Sequence, residues 1–383
     1  MNLTLPVYRL CADTKLFSFD DKISDVPILS TPLGSWQQKI VNLAGLELFD
    51  IKSINEVKED QYIIFDENLF FTEKFFFLII NKIKAEDKKN KRFFLKTNDF
   101  NKTYIFDHSQ DKFEELKFNI YYKNKQSDSV EEVYLDQITF DHYIQIPKQL
   151  DRSGQMYHGQ CEVFAVTIIS PFHLLYTNLA LNFNRTIKLQ KAIPKWFAKK
   201  YIPVGSKFFY KSLKRLNRFG KNCRIHPTAV VEGCVLGDNV QIGANCVVRL
   251  SCIGSNSTLE ENITLTYSVL GEGCYIANGN IVNLCMCYEN VFLIHGPYQF
   301  SLFGRSVAVM AVINCDFRLD QKKIRIMSSV GLIDSKQSLL GICYGHESVV
   351  GGGNIIAPGR IVPNNIKIPP PNEIIISKFD EFL

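Results

Sequence analysis

Few residues of this 383-residue chain combine a reactive side chain with a place outside its regular patterning. His295 is one of them. It stands in His295-Gly296-Pro297-Tyr298, where a long apolar periodicity breaks, and its Gly and Pro neighbours put it on a turn rather than in a buried ladder. An imidazole titrates near neutral pH, so the residue is either a proton carrier or an ordinary solvated turn histidine. Asp66 closes the strand-like run Gln61 to Phe65, a position where a carboxylate also serves as a helix N-cap. The eleven cysteines contain no CxxC pair, and nine fall between Cys223 and Cys343. Cys246, Cys252, Cys274 and Cys287 coincide with inward repeat positions, where a free thiol packs as a small hydrophobe; zinc would require paired ligand spacings. From Val163 to Val231 no acidic residue occurs, while Arg185, Lys188, Lys191, Lys195, Lys199, Lys200, Lys207, Lys211, Lys214, Arg215 and Arg218 do, interleaved with Trp196, Phe197, Tyr201 and Phe208 to Tyr210. Such a one-signed segment suits an anionic lipid surface or a phosphorylated ligand, or is a solvated linker helix; no nucleic acid is expected.

The elements that position these residues follow from composition and spacing. At 46% hydrophobic and 22% charged residues, the chain is composed like an ordinary globular protein and is long enough for two cores. No apolar run approaches the ~20 residues of a membrane span, and the start lacks a basic segment leading into an apolar one. A cytoplasmic location is expected.

The dominant signal is a repeat. Phe219, Leu236, Ile253, Leu270 and Cys287 begin similar segments seventeen residues apart. Within each unit, apolar residues recur at steps of six, six and five: Ile225, Val231, Leu236, Ile242, Val248, Ile253, Leu259, Leu265, Leu270, Ile276, Val282 and Cys287. Four residues after most of them a small or apolar residue follows, as at Ala229, Val235, Val240, Cys246, Ser257, Val269 and Cys274. Three short flat strands joined by tight turns make one triangular coil, so the pattern predicts a left-handed parallel β-helix over residues 219–383. A second block of sixes runs through Tyr344, Val350, Ile356, Val362 and Ile368, and between Phe292 and Gly341 the register is expected to fail in an insertion. Residues 1–184 instead alternate β-rich runs (Pro6–Cys11, Gln61–Phe65, Phe93–Lys96, Thr103–Phe106) with helical ones (Ser35–Ala44, Glu73–Lys84), which predicts an α/β sheet domain. Residues 185–218 form the basic linker between the two.

With both halves in place, the chain resembles the sugar-1-phosphate nucleotidylyltransferases fused to a β-helix acetyltransferase domain, the bifunctional N-acetylglucosamine-1-phosphate uridylyltransferase/glucosamine-1-phosphate acetyltransferase family. Three stretches carry the resemblance: His295 to Tyr298; Ile313-Asn314-Cys315-Asp316-Phe317 with Asp320 to Ile324; and Leu339 to His346 running into Val350-Gly351-Gly352-Gly353 and Ala357-Pro358-Gly359-Arg360. The resemblance implies His295 as general base on a sugar amine that attacks an acyl-CoA thioester, with Asn314 beside it. It further implies Tyr298 and Lys322 on the sugar phosphate, and acetyl-CoA or another acyl-CoA along Gly351, Gly352, Ala357 and Arg360 at the interface of a homotrimer. In the N-terminal half it implies a Rossmann-like nucleotidylyltransferase sheet with Asp66 as a Mg²⁺ ligand, Mg²⁺ being needed only if that half is active. The chain departs from the family where a glycine-rich phosphate loop belongs: Leu10-Cys11-Ala12-Asp13-Thr14-Lys15-Leu16 has no glycine, so side chains occupy the path of phosphate to backbone. A degenerate nucleotidylyltransferase-like domain is therefore expected. With a sugar phosphate or nucleotide sugar as the expected small-molecule partner, three functions remain open: an acyltransferase on an amino-sugar phosphate, a nucleotidylyltransferase with another phosphate cradle, and an inactive regulator or scaffold.

Overall fold

The structure, a computed structural model, describes residues 5–83, 89–105, 115–187, 213–328 and 331–372. The chain divides into two compact units, residues 1–180 and 181–383. Residues 188–212, most of the expected basic linker, lie outside the described residues.

The first unit is built on a mixed six-stranded sheet. Its main elements are β1 (Val7–Leu10), α1 (Leu33–Leu43), β2 (Leu48–Ile51), β3 (Gln61–Asp66), α2 (Glu73–Lys82), β4 (Asn90–Lys96), α3 (Asp99–Tyr104), β5 (Glu115–Asn124) and β6 (Val130–Leu135), and the boundary between the units falls within α4 (Pro171–Asn184). The strand order is β2-β1-β3-β5-β4-β6, with only β5 antiparallel to its neighbours. Phenylalanine supplies much of the core: Phe65, Phe70, Phe71, Phe75, Phe76, Phe93, Phe94, Phe100 and Phe164 are all fully buried. Rings of this size dominate burial energetics, and several meet edge-on or stacked, such as Phe71 on Phe76 at 5.3 Å. The strand expected at Thr103–Phe106 is instead the end of α3, as far as it is described. Asn98 caps that helix by accepting from the Asn101 N–H at 2.8 Å, and Phe100 and Tyr104, one turn apart, bury the same face.

The second unit is a left-handed parallel β-helix. Eight parallel strands form one face, through Leu236, Ile253, Leu270, Cys287, Phe303, Tyr344 and Val362; eight form the second, through Ile242, Leu259, Ile276, Leu293, Val309 and Val350. The third face stacks five strands through Val231, Val248, Leu265, Val282 and Tyr298, and a separate pair joins Ile313–Asn314 to Ile355–Ile356. Leu236, Ile253 and Leu270 thus lie one above another, as the seventeen-residue period requires, and each coil hydrogen-bonds the next, for example Gly237 N–H to the Ile253 carbonyl at 2.8 Å.

Three expectations are corrected here. The register does not fail at Phe292: stacking continues through Asn314, with sixteen residues between Cys287 and Phe303 and between Leu293 and Val309. Only the stretch after Asn314 and before Cys343 leaves the coil, carrying a hairpin of Arg325–Ser328 on Gly331–Asp334. Second, on the five-residue side the small inward residue comes three, not four, positions after the aliphatic. Cys234, Ser251, Ser268, Cys285 and Ser301 are fully buried there, whereas Val235 and Val269 lie outside the interior cluster. Third, Cys252 also points away from that interior and accepts a hydrogen bond from Arg185 Nη1 at 3.2 Å, while Cys246, Cys274 and Cys287 do face inward.

Leu270→Ala leaves a cavity between fully covered neighbours and is expected to cost about 2–5 kcal/mol. Gln241→Ala, on an exposed outward position, is expected to stay within about 0.5 kcal/mol of wild type. Urea unfolding followed by circular dichroism checks both.

Candidate functional site

Each coil turns at three corners, and most corners carry one residue with positive φ. At the second corner, between the second and third faces, these residues are Asn245, Asn262, Gly279, His295, Ala311 and Gly353, with φ between +48° and +80°. In the lower coils this residue lies three positions beyond the ladder aliphatic; His295 and Ala311 lie two beyond Leu293 and Val309, which is how one residue is lost without breaking the stack. His295 has φ +53° and an exposed side chain with no hydrogen-bond partner among the described residues. Buried Asn280 holds its turn, accepting from the Gly296 N–H and donating to the Ala277 carbonyl at 2.7 Å. Gly296 is required, because a Cβ there would fall 2.5 Å from the Tyr298 ring.

Along this edge the coils carry Gly279 below His295 and Ala311, Gly352 and Gly353 above it. Parallel coils are about 4.8 Å apart, so Gly353 lies roughly 10 Å from His295 on the same edge. The structure therefore aligns His295 with Gly351 and Gly352. Ala357 and Arg360 follow the strand Ile355–Ile356 on the far side of the third face, and belong to the next corner. One Arg360 N–H donates to the Arg325 carbonyl at 3.0 Å, and no carboxylate pairs with this guanidinium among the described residues. Gly351 is already occupied by packing, since a Cβ there would meet Pro370 Cδ at 2.6 Å.

Tyr298 and Asn314 are not beside the imidazole. Tyr298 fills the ladder slot held by Val282 in the coil below, is fully buried, packs edge-on against Phe303 at 5.3 Å, and donates to the Ile294 carbonyl at 3.0 Å. Burial pushes its phenol well above the usual range. Asn314 occupies the corresponding inward slot of the next coil. Its Oδ1 accepts from the Tyr344 hydroxyl at 3.0 Å and its Nδ2 donates to Ser301 Oγ at 2.9 Å, so its amide is committed inside the prism. Lys322 is exposed on the insertion that departs after Asn314, its backbone N–H donating to Asp320 at 3.2 Å.

Asp66 ends β3 and accepts from Asn119 Nδ2 at 2.6 Å; burial raises its carboxyl above the usual range, partly offset by that bond. Among the described residues no three His, Cys, Asp or Glu side chains converge as a metal site. The residue that the sequence reading passed over is Glu67. Alternation at a strand end sends adjacent side chains to opposite sides. Glu67, next to Asp66, turns inward and accepts the backbone N–H groups of Ala12 and Thr14 at 3.0 and 2.7 Å. These two loop amides are thereby occupied by the protein's own carboxylate.

A family model described as the GMPPB C-terminal domain matches residues 216–293, a fifth of the chain that ends two residues before His295. No curated protein matches the chain. Among solved structures, a histidine-to-asparagine mutant of perosamine N-acetyltransferase from Caulobacter crescentus in complex with CoA and GDP-perosamine is similar at 17% identity. That match covers 39% of this chain and 54% of that one, with a TM-score of 0.21. A histidine-to-alanine mutant of GDP-perosamine N-acetyl transferase from the same organism, again with CoA and GDP-perosamine, is similar at 14% identity over 40% and 52% of the two chains, with a TM-score of 0.16. The chain spans about half the length of these structures.

Asn314→Ala strands the buried Tyr344 hydroxyl and removes one of the two donors to Ser301 Oγ, which keeps its bonds to the Gln299 carbonyl and the Ile342 N–H. It is expected to lower unfolding free energy by about 1–3 kcal/mol, measured by urea titration, as a packing residue and not a catalytic one should.

Proposed function

We propose that the protein is an acyl-CoA-dependent N-acyltransferase acting on an amino-sugar phosphate or a nucleotide sugar, with His295 as general base on the second edge of the β-helix. The observation that carries this reading is the exposed, uncommitted imidazole on an edge whose left-handed corner positions in the neighbouring coils are Gly279, Ala311 and Gly353. Small residues on both sides leave room for two substrates to lie along the edge. In the reaction, the amine nitrogen attacks the thioester carbonyl, a C–N bond replaces the C–S bond, and His295 takes the ammonium proton and passes it to the departing thiolate, so that CoA leaves as the thiol. The unpaired remainder of the Arg360 guanidinium suits a CoA phosphate arriving from the adjoining corner of the same or a neighbouring copy. Tyr298, Asn314 and Lys322 have no part in this reading. Assembly as a homotrimer is proposed with it, supported by a strip of exposed apolar residues along the third face, Ile281, Pro297, Ile313 and Ile355.

A second reading, an inactive member retained as scaffold or regulator, is favoured by the capture of Tyr298 and Asn314 in the core.

His295→Asn separates the two. Asn245 and Asn262 already hold the same left-handed corner position, so the substitution should leave the thermal midpoint within about 1 °C, corresponding to well under 1 kcal/mol. If His295 is the base, release of CoA thiol with acetyl-CoA and glucosamine 1-phosphate or an amino-sugar nucleotide should fall about 10²–10⁴-fold. A wild-type protein that neither binds acetyl-CoA nor releases thiol with any of these acceptors sinks the transferase reading and leaves the scaffold. For assembly, Ile355→Glu should convert a trimer to monomer in analytical ultracentrifugation.

A further inference from the structure

The first loop of the N-terminal unit is shaped for an anion and holds one already. Cys11 to Lys15 leave the end of β1, and Asp13 takes a left-handed conformation with φ +51°. Successive residues of alternating hand turn their N–H groups toward one point, the concavity that binds phosphates and other oxoanions. Here the Ala12 and Thr14 N–H groups converge on a single atom, Glu67 Oε1.

The Glu67 backbone is held in that place at both its N–H and its carbonyl. Its own N–H donates to the Leu10 carbonyl at 3.1 Å, tying the end of β3 to the end of β1. Its carbonyl accepts from Gln37 Nε2 at 3.0 Å, and that Gln37 amide also donates to the Leu69 carbonyl at 2.9 Å. The residue is 2% exposed, and Oε2 has no hydrogen-bond partner among the described residues. Arg9, on β1 itself, is taken: it pairs with Asp50 at 2.8 Å and donates to Gly34 and Gln37. A buried carboxylate oxygen left without a partner is costly, and a fold keeps one only where the other contacts outweigh it. Those contacts are the two loop amides, both of which donate to Oε1.

We propose that the Ala12–Thr14 loop is an oxoanion nest closed in cis by Glu67, so that the N-terminal unit excludes nucleotide phosphates, and that removing this carboxylate opens the nest to phosphate and pyrophosphate. Ala12 and Asp13 are exposed, so an anion reaches the vacated amides from solvent. The proposal concerns the N-terminal unit alone and stands or falls independently of acyl transfer on the β-helix.

The test is a titration of the full chain with sodium pyrophosphate, and separately with UTP and GTP in the presence of Mg²⁺, reading the amide signals of Ala12 and Thr14 by ¹⁵N-resolved NMR. In the wild type both signals are expected to stay still through millimolar ligand. In Glu67→Ala they are expected to move with saturation, and Glu67→Gln, which keeps an acceptor oxygen on both amides, is expected to stay silent. Movement of the wild-type signals overturns the proposal, as does a folded Glu67→Ala protein whose two amides ignore pyrophosphate or a Glu67→Gln protein that binds as Glu67→Ala does. Should Glu67→Ala fail to fold, Glu67→Ser, which likewise withdraws the carboxylate from both amides, takes its place with the same expected and overturning results.

Discussion

One coil of a β-helix is a single strand thick, so its inward side chains have nothing beneath or above them except the next coil. Leu270 is buried only because Ile253 and Cys287 stand directly below and above it in the same column. Every other regularity serves that stacking. The backbone of one coil must approach the next closely enough to hydrogen-bond along its whole length, which is why a Cβ at Gly254 would fall 2.4 Å from the backbone of Gly271. The corners must turn within two or three residues, which puts one left-handed residue at most of them. Asn222, Asn239 and Asn256 fill the first corner and bridge amide to amide, at 3.3 and 2.9 Å. Asparagine suits this place because its short side chain tolerates positive φ and can pair with its own kind above.

The interior is not wholly apolar, and its polar members obey a local rule. In the third-corner column Ser251, Ser268, Cys285 and Ser301 each donate to the carbonyl two residues earlier, and Ser251 and Ser268 accept the N–H seventeen residues on. Each hydroxyl is therefore satisfied inside a dry prism at no cost in packing volume. Burial also keeps the thiols unreactive: Cys234 is pushed up to about 11 and Cys285 to about 12, far above the thiolate range that would make them nucleophiles. Asn314 extends the same logic to a larger group, its amide shared between Ser301 and Tyr344.

The stacked prism was legible in the sequence because stacking imposes a period on residue type, and both the aliphatic columns and the Asn turns were visible as spacing. The coils from Phe292 to Asn314 were not, since losing one residue from a corner preserves the stack while destroying the count. That is also why Tyr298 and Asn314 looked like residues of an insertion: without the period, nothing marks them as inward. The third-corner serines were hidden by a similar slip, a five-residue side putting its small inward residue one position earlier. In the N-terminal half the α/β class followed from alternating runs, but Glu67 beside Asp66 did not stand out, because which of two adjacent carboxylates turns inward depends on the register of β3 against β1.

These placements narrow where chemistry can reside. A group that titrates near neutral pH contributes to catalysis only if it is accessible and not already bound to the protein. His346, the other histidine near the late coils, is buried, and its Nδ1 accepts the Arg305 N–H at 2.7 Å, which fixes its tautomer and spends it on holding a corner. His295 differs on both counts. The corner that makes it so is the shortened one: dropping a residue between Leu293 and Tyr298 moves the left-handed position onto the histidine and turns its ring to solvent, while the next apolar residue still reaches the core. The same deletion that hides the repeat from a periodic reading thus places an exposed imidazole on the edge of the prism.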